Sequence, residues 1–137
     1  MQKPSVGAGC GVIVWRDGKF LMMRRKGSHG AGTWGIPGGS IDFGESWEQC
    51  GKREVLEETG MTIKNVRFVA VANDLFLSEG KHFIAIWLEA DWMSGEPEIK
   101  EPEKCTALGW HTFKDLPSPL LEPTWQNLRN ARPDLFA

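Results

Sequence analysis

The stretch that decides the fold is residues 38–61, which read GGSIDFGESWEQCGKREVLEETGM. It joins a glycine pair to an acidic segment with helical spacing. Ser46 and Gln49 stand three positions apart, as in a capping box, where each side chain bonds to the backbone N–H of the other residue. Gly60 is the residue type that best tolerates the left-handed conformation after a helix. The stretch therefore predicts a loop, then a helix that begins after Ser46 and stops at Gly60.

Three glutamates of this predicted helix carry the functional signal. Glu54, Glu57 and Glu58 are spaced i, i+3 and i+4, which places them within about 100° of arc. Trp47 and Cys50 share that face, so we expect the carboxylates to look toward the body of the protein. Crowded like charges are unfavourable there, and hard divalent cations such as Mg²⁺ take carboxylate oxygens as ligands. With a glycine-rich loop close by, the pattern favours a cation site over the alternative, a solvated acidic helix.

The rest of the chain reads as strands and one further helix around this stretch. Apolar runs at 11–15 and 20–25 flank an Asp-Gly pair at 17–18, a strong hairpin signal. Period-two alternation sends Arg25 and its preceding neighbour to opposite faces, so one of them should look into a cleft. Further strands are predicted at 66–72, 82–88 and 108–112, and a second helix at 123–131. Strands with two helices suggest a sheet between helical layers.

Composition is that of an ordinary single domain. The 137 residues are 41% hydrophobic and 25% charged, which suffices for one core. A net charge of −2 provides no basic field for polymeric nucleic acid. The three cysteines form no C-x-x-C pair and predict reduced thiols. No apolar run is long enough to span a bilayer. We therefore expect a cytoplasmic protein with neither a membrane nor a nucleic-acid polymer as partner.

Residues 39–61 resemble the Nudix box, Gly-x5-Glu-x7-Arg-Glu-U-x-Glu-Glu-x-Gly-U, in which U is a bulky aliphatic residue. Its fixed positions are filled by Gly39, Glu45, Arg53, Glu54, Val55, Glu57, Glu58, Gly60 and Met61. A pattern with so many fixed positions is specific. The resemblance implies an α/β fold, an α/β/α sandwich around a mixed β-sheet, for one domain spanning 1–137. It also implies hydrolysis of a nucleoside diphosphate linked to a further group, using Mg²⁺ or Mn²⁺.

Three other segments, 23–28, 47–50 and 101–105, are similar to a narrower group, the MutT-like nucleoside triphosphate diphosphatases and especially their thiopurine/8-oxo-dGTP branch. This similarity implies Mg²⁺-dependent hydrolysis of a nucleoside triphosphate to the monophosphate and pyrophosphate. The chain departs from that group at Gly35, where its members often place Asn or Gln. Recognition of 8-oxoguanine is therefore not implied.

The resemblance implies roles for individual residues at the metal. The ion would be held by Glu54, Glu57, Glu58, the backbone carbonyl of Gly38 and, as an outer ligand, Glu103. Glu54 or Glu57 would also orient or deprotonate the attacking water, whose pKa falls when a metal coordinates it. Arg53 would pair with the helix acids.

The resemblance also implies substrate contacts. Arg25 would bind a phosphate, since arginine suits multi-oxygen anions. Gly39, Trp125 and Asn127 would lie against the substrate, with Trp125 as a platform for the base. Three of these residues have an alternative explanation without a functional role. Arg25 could be an exposed charge on a strand, Glu103 a solvated acid in a loop, and Trp125 a residue of the hydrophobic core.

Two other functions stay open. One is hydrolysis of a different nucleoside diphosphate derivative, such as ADP-ribose or a dinucleotide, although the chain has no Tyr and residues 73–80 contain no proline. The other is a Nudix-fold binding module without turnover, although such modules usually lose a helix acid. The sequence leaves the oligomeric state open, and relatives in the narrower group are often homodimers.

Overall fold

The computed structural model describes residues 4–27 and 29–137, and in these ranges seven strands form one mixed sheet between two helices. In chain order the elements are β1 (Gly7–Arg16), β2 (Lys19–Arg25), β3 (Trp34–Gly35), β4 (Gly38–Ser40), α1 (Trp47–Thr59), β5 (Thr62–Phe76), β6 (Lys81–Ser94), β7 (Cys105–His111) and α2 (Thr124–Ala131). Short 3₁₀ turns occupy Leu77–Glu79 and Pro133–Phe136.

The centre of the sheet is a parallel pair. β1 runs beside β6 in register from Gly7 opposite Phe83 to Trp15 opposite Asp91. The other strand pairs are antiparallel, and the main order is β3-β2-β1-β6-β5, with β4 paired to β1 and β7 paired to β2. The predicted mixed sheet is therefore confirmed.

Alternation along β1 divides the core into two layers. Val12 and Val14 are buried in a cluster with Cys50 and Val55 of α1. Ile13, between them, points to the other face and joins a cluster with residues of α2. Successive strand residues point to opposite faces of a sheet, so one strand fills both layers. This arrangement confirms the predicted α/β/α sandwich.

The predicted caps of α1 are confirmed. Ser46 Oγ accepts a hydrogen bond from Gln49 N at 3.0 Å, and Gln49 Oε1 accepts one from Ser46 N at 2.8 Å. Gly60 ends the helix with φ of 79°. In the described ranges, no helix has the length and apolar character needed to cross a bilayer.

The hairpin and the core cysteines also agree with prediction. Asp17 and Gly18 both have positive φ, 52° and 79°, as a tight turn between β1 and β2 requires. Cys10, Cys50 and Cys105 are buried and free, in keeping with reduced thiols packed as small hydrophobic residues.

Two features of the sheet differ from prediction. β5 and β6 are longer than the predicted runs at 66–72 and 82–88, because the strand pairing continues beyond these runs, from Thr62 opposite Ser94 to Phe76 opposite Lys81. β3 and β4 were not predicted as strands at all. They have two and three residues, and they exist only through pairing with β2 and β1.

Candidate active site

Two of the three helix acids line a cleft in the described part of the protein. This cleft, of about 580 Å³, lies between α1, β4, the end of β2 and the loop before β7. Glu54 and Glu58 line it, and the Glu54 side chain is only 15% exposed. Glu58 Oε1 accepts a hydrogen bond from Gly38 N at 3.1 Å, but burial is the stronger influence and raises the pKa of Glu58 to about 8. The cleft thus holds negative groups that need a positive partner.

Glu57 does not share this inward orientation, which corrects the expectation that all three acids face the protein body. Its side chain is 53% exposed and lies at the rim. The reason is angular: the buried residues of α1 are Cys50, Gly51, Val55 and Thr59, and their mean direction lies about 140° around the helix from Glu57.

Arg53 links the acids of α1 to the preceding loop. Its Nε donates to Glu45 at 2.7 Å and one terminal nitrogen donates to Glu54 at 2.7 Å and Glu57 at 3.3 Å. The other terminal nitrogen donates to the carbonyl of Ser40 at 3.0 Å. Hydrogen bonds from Arg53 lower the pKa of Glu45 to about 2. Arg53 is thus a positioning residue that fixes Glu54, and Glu45 holds Arg53 while Ser46 caps the helix.

Close packing around β4 explains why it contains two consecutive glycines, Gly38 and Gly39. A Cβ on Gly38 would lie far inside contact distance of the Cys10 carbonyl oxygen, because β4 crosses β1 closely. A Cβ on Gly39 would lie 2.5 Å from the carboxyl carbon of Glu54. These close approaches let backbone and carboxylates meet at one place, whether or not the Gly38 carbonyl also binds an ion.

Three basic residues share the cleft with the acids. Arg25, Lys26 and Lys104 line the same cleft as Glu54 and Glu58. Arg25 Nε donates to the carbonyl of His29 at 3.1 Å, and burial lowers the pKa of Arg25. Of the two arginines at the end of β2, Arg25 is therefore the one that lines the cleft. A cleft with both carboxyl and basic groups suits a ligand that carries an anionic chain together with a cation.

The loop before β7 brings in one predicted acid and one that was not predicted. Glu103 lines the cleft as an exposed residue. Glu101 lines it too, contacts Lys104 at 3.4 Å and helps to raise the pKa of Glu58. Glu101 belongs to the similar segment at 101–105, which is a signal for it, but an acid two residues from Glu103 cannot be placed in the cleft without the fold.

A second, smaller cavity of about 100 Å³ adjoins the cleft. Arg25, Gly35 and Ile36 line both cavities, so the two meet at these residues. Its other lining residues are mostly apolar: Gly11, Ala85, Ile86, Trp87, Leu121, Thr124 and Trp125. This is the kind of pocket that accepts a flat, largely apolar ring.

The two tryptophans of this pocket pack edge to face, with ring centroids 5.2 Å apart and planes at 77°. Trp125 is fully buried, so it combines the core role with a place in the wall. The indole N–H groups of Trp87 and Trp125 are both buried and have no hydrogen-bond partner among the described residues. Buried donors of this kind call for an explanation.

Asn127 has a different position from the one expected of a base-contacting residue. Its side-chain nitrogen donates to the carbonyl of Asn73 at 3.0 Å and to Asp74 Oδ1 at 2.7 Å. Asp74 is 3% exposed and needs such a donor. Asn127 therefore joins α2 to β5 in the structure and supports the pocket from behind.

The residues of the cleft fit a hard divalent cation by their chemistry. Such ions prefer carboxylate and carbonyl oxygens, and Glu54, Glu58, Glu101 and Glu103 supply the carboxylates. Burial raises the pKa of Glu58, so a bound cation would stabilise the charged form of its carboxyl group. Within residues 4–27 and 29–137, however, no three acidic, imidazole or thiol side chains already form a compact ligand set.

Comparison with known proteins agrees with this fold. Residues 6–135 match the family model of the NUDIX domain. The crystal structure of a MutT NUDIX hydrolase from Burkholderia pseudomallei is 37% identical, with a TM-score of 0.84 over 91% of this chain and 97% of that one. The solution structure of the E. coli ORF135 protein is 26% identical, with a TM-score of 0.74 over 96% and 91% of the two chains.

A third similarity concerns a longer protein. The NAD-capped RNA hydrolase NudC of Yersinia pestis (strain Pestoides F) is 32% identical over 116 residues, which are 85% of this chain and 42% of that protein. Taken together, a mixed sheet between two helices and a cleft that holds helix acids and basic residues define a domain of the α/β class. The chain belongs to the Nudix family, whose members act on nucleotide-type substrates and generally use a divalent metal ion.

Proposed function

We propose that this protein hydrolyses a nucleoside triphosphate to the nucleoside monophosphate and pyrophosphate. The observation that carries the proposal is the junction of two unlike cavities at Arg25. One has acidic and basic residues suited to a metal-bound polyphosphate, and the other is apolar and suited to a base. A nucleoside triphosphate has these two parts in this order.

The metal would be held by Glu54 and Glu58, with the Gly38 carbonyl beside them. Glu57 at the rim and Glu103 from the loop are the further ligands we propose. When bound, a divalent cation screens phosphate charge and lowers the pKa of a coordinated water. Glu54, which Arg53 holds through a 2.7 Å bond, would accept a proton from the attacking water.

The substrate contacts follow the two cavities. Arg25 would bind a phosphate oxygen from the end of β2, and its position is fixed by the bond to the His29 carbonyl. Gly39, which carries no side chain, lets the phosphates approach Glu54. Trp125 would form part of the base pocket, and Asn127 would hold that wall through Asp74.

Product analysis with a panel of triphosphates tests the proposal. The protein, with millimolar Mg²⁺ or Mn²⁺, is incubated with each of the common ribo- and deoxyribonucleoside triphosphates. The expected products are monophosphate and pyrophosphate. Glu54→Gln should lower kcat by about 10²-fold or more, and Glu48→Gln, exposed on the same helix, should not. No pyrophosphate from any triphosphate would reject the proposal.

A second candidate is hydrolysis of a dinucleotide pyrophosphate such as NAD. It is favoured by the 32% identity to the NAD-capped RNA hydrolase, although the chain spans only 42% of that protein. NAD, ADP-ribose and a short NAD-capped RNA therefore belong in the same panel. A kcat/KM for any of them above that for every triphosphate would favour the second candidate. A binding module without turnover is distinguished by Glu57→Gln, which such a module should tolerate.

A further inference from the structure

Gly35 is a buried strand residue whose backbone does not require glycine. It lies in β3 opposite Met23 of β2. Its φ is not among the positive values that eight other glycines adopt. Inside a strand, glycine weakens the structure relative to alanine, because it loses more conformational freedom on folding and contributes no packing.

Packing does not require glycine at this position either. A Cβ on Gly35 would meet no heavy atom within 4 Å, although the residue is buried. The contrast with its neighbours is sharp. At Gly11 a Cβ would lie 3.0 Å from Ile36 Cδ1, and at Gly39 it would lie 2.5 Å from the Glu54 carboxyl carbon. Gly35 thus faces open space inside the protein.

That open space lies where the two cavities meet. Gly35 lines both the charged cleft and the apolar pocket, together with Arg25 and Ile36. The pocket alone is small, about 100 Å³, and Trp87 and Trp125 contribute to its wall.

We infer that Gly35 determines base size in this enzyme: its missing side chain leaves the room that admits a two-ring base, so the substrates are purine nucleoside triphosphates. The inference rests on the proposed function. A one-ring pyrimidine needs only the small pocket. The additional space at Gly35 is used when a second ring extends toward the cleft while the triphosphate lies between Arg25 and the acids.

The experiment measures stability and base selectivity in the same variants. Gly35→Ala and Gly35→Val are compared with wild type on GTP, ATP, UTP and CTP. Gly35→Ala should raise Tm by about 2 °C or more, because alanine restricts the unfolded chain and meets no clash. Its kcat/KM for purine substrates should fall about tenfold, and that of Gly35→Val about 100-fold, whereas the pyrimidine values should change by less than about threefold.

Gly35→Ala should thus raise Tm and lower kcat/KM for purine substrates. If Gly35 had a merely structural role, its replacement would lower both. Ala8→Val, in an exposed position of β1 outside both cavities, is the control and should keep the wild-type purine to pyrimidine ratio. A lower Tm for Gly35→Ala, or a ratio unchanged in both Gly35 variants, would overturn the inference while leaving the proposed function intact. Wild type inactive on all four triphosphates would reject the proposed function instead. Tryptophan fluorescence titrations would then measure the affinities for the same nucleotides. The purine to pyrimidine affinity ratio should fall in the Gly35 variants as stated above for kcat/KM.

Discussion

At the scale of single residues, Glu58 has the clearest electrostatic signature. Burial raises its pKa to about 8 from an ordinary value of 4.5. Between these values the unfolded chain has released the proton that the folded chain still binds. The free energy of unfolding of the metal-free protein therefore decreases as pH rises through this window and levels off above it.

We expect Tm in EDTA to fall between about pH 5 and about pH 8 for this reason. Glu58→Gln should flatten that part of the curve, because the neutral amide has no proton to lose. Glu48→Gln should keep the wild-type slope. Millimolar Mg²⁺ should raise Tm at the upper pH, since a ligand that binds only the folded state stabilises it. An equal slope in wild type and Glu58→Gln, measured by thermal unfolding, would contradict this account.

The glycine pair of β4 gives a second prediction at this scale, because the two residues meet different obstacles. A Cβ at Gly38 meets the backbone of β1, which cannot move without separating the strands. A Cβ at Gly39 meets only the Glu54 carboxylate, which can rotate away.

Gly38→Ala should therefore cost about 3 kcal/mol or more in the free energy of unfolding. Gly39→Ala should fold with a much smaller loss but should lower kcat at least about tenfold, because it displaces Glu54. Urea unfolding and steady-state kinetics check both. Equal stability losses in the two variants would show that the explanation of the pair is mistaken.

At the scale of elements, α1 holds the acids in place, and the two bonds of its capping box join only Ser46 and Gln49. Ser46→Ala should lower the free energy of unfolding by about 1 kcal/mol, because Gln49 N loses its acceptor. Its kcat/KM should stay within about twofold of wild type, since the acids lie two to three turns further along. Ser5→Ala, on an exposed residue ahead of β1, is the control. A loss of activity without a loss of stability would contradict this separation of roles.

A helix or strand can be predicted from the sequence when the residues that determine it are close together in the chain. The start and end of α1 and the hairpin at Asp17 are of this kind, and the sequence predicts both. β3 and β4 depend on partners elsewhere in the chain, so no local pattern marked them. The same limit applied to the site. The spacing of Glu54 and Glu58 is local, but the outward direction of Glu57 depends on which side of α1 meets the sheet.

At the scale of the whole molecule, function depends on the convergence of distant segments. The cleft combines α1, the glycine pair, the end of β2 and the loop before β7, and the apolar pocket adds β6 and α2. Sequence similarity indicated the chemistry of these segments, but Glu101 and the true partner of Asn127 became visible only with the fold.

The central claim is that the inward acids of α1 bind a divalent cation, and Mn²⁺ binding followed by electron paramagnetic resonance tests it most directly. Wild-type protein and Glu48→Gln should bind at least one Mn²⁺ with equal affinity. Glu54→Gln and Glu58→Gln should each weaken binding by at least about tenfold, because each removes an anionic ligand from the cleft. Equal Mn²⁺ affinity in all four proteins, or no binding by wild type at millimolar Mn²⁺, would contradict the claim.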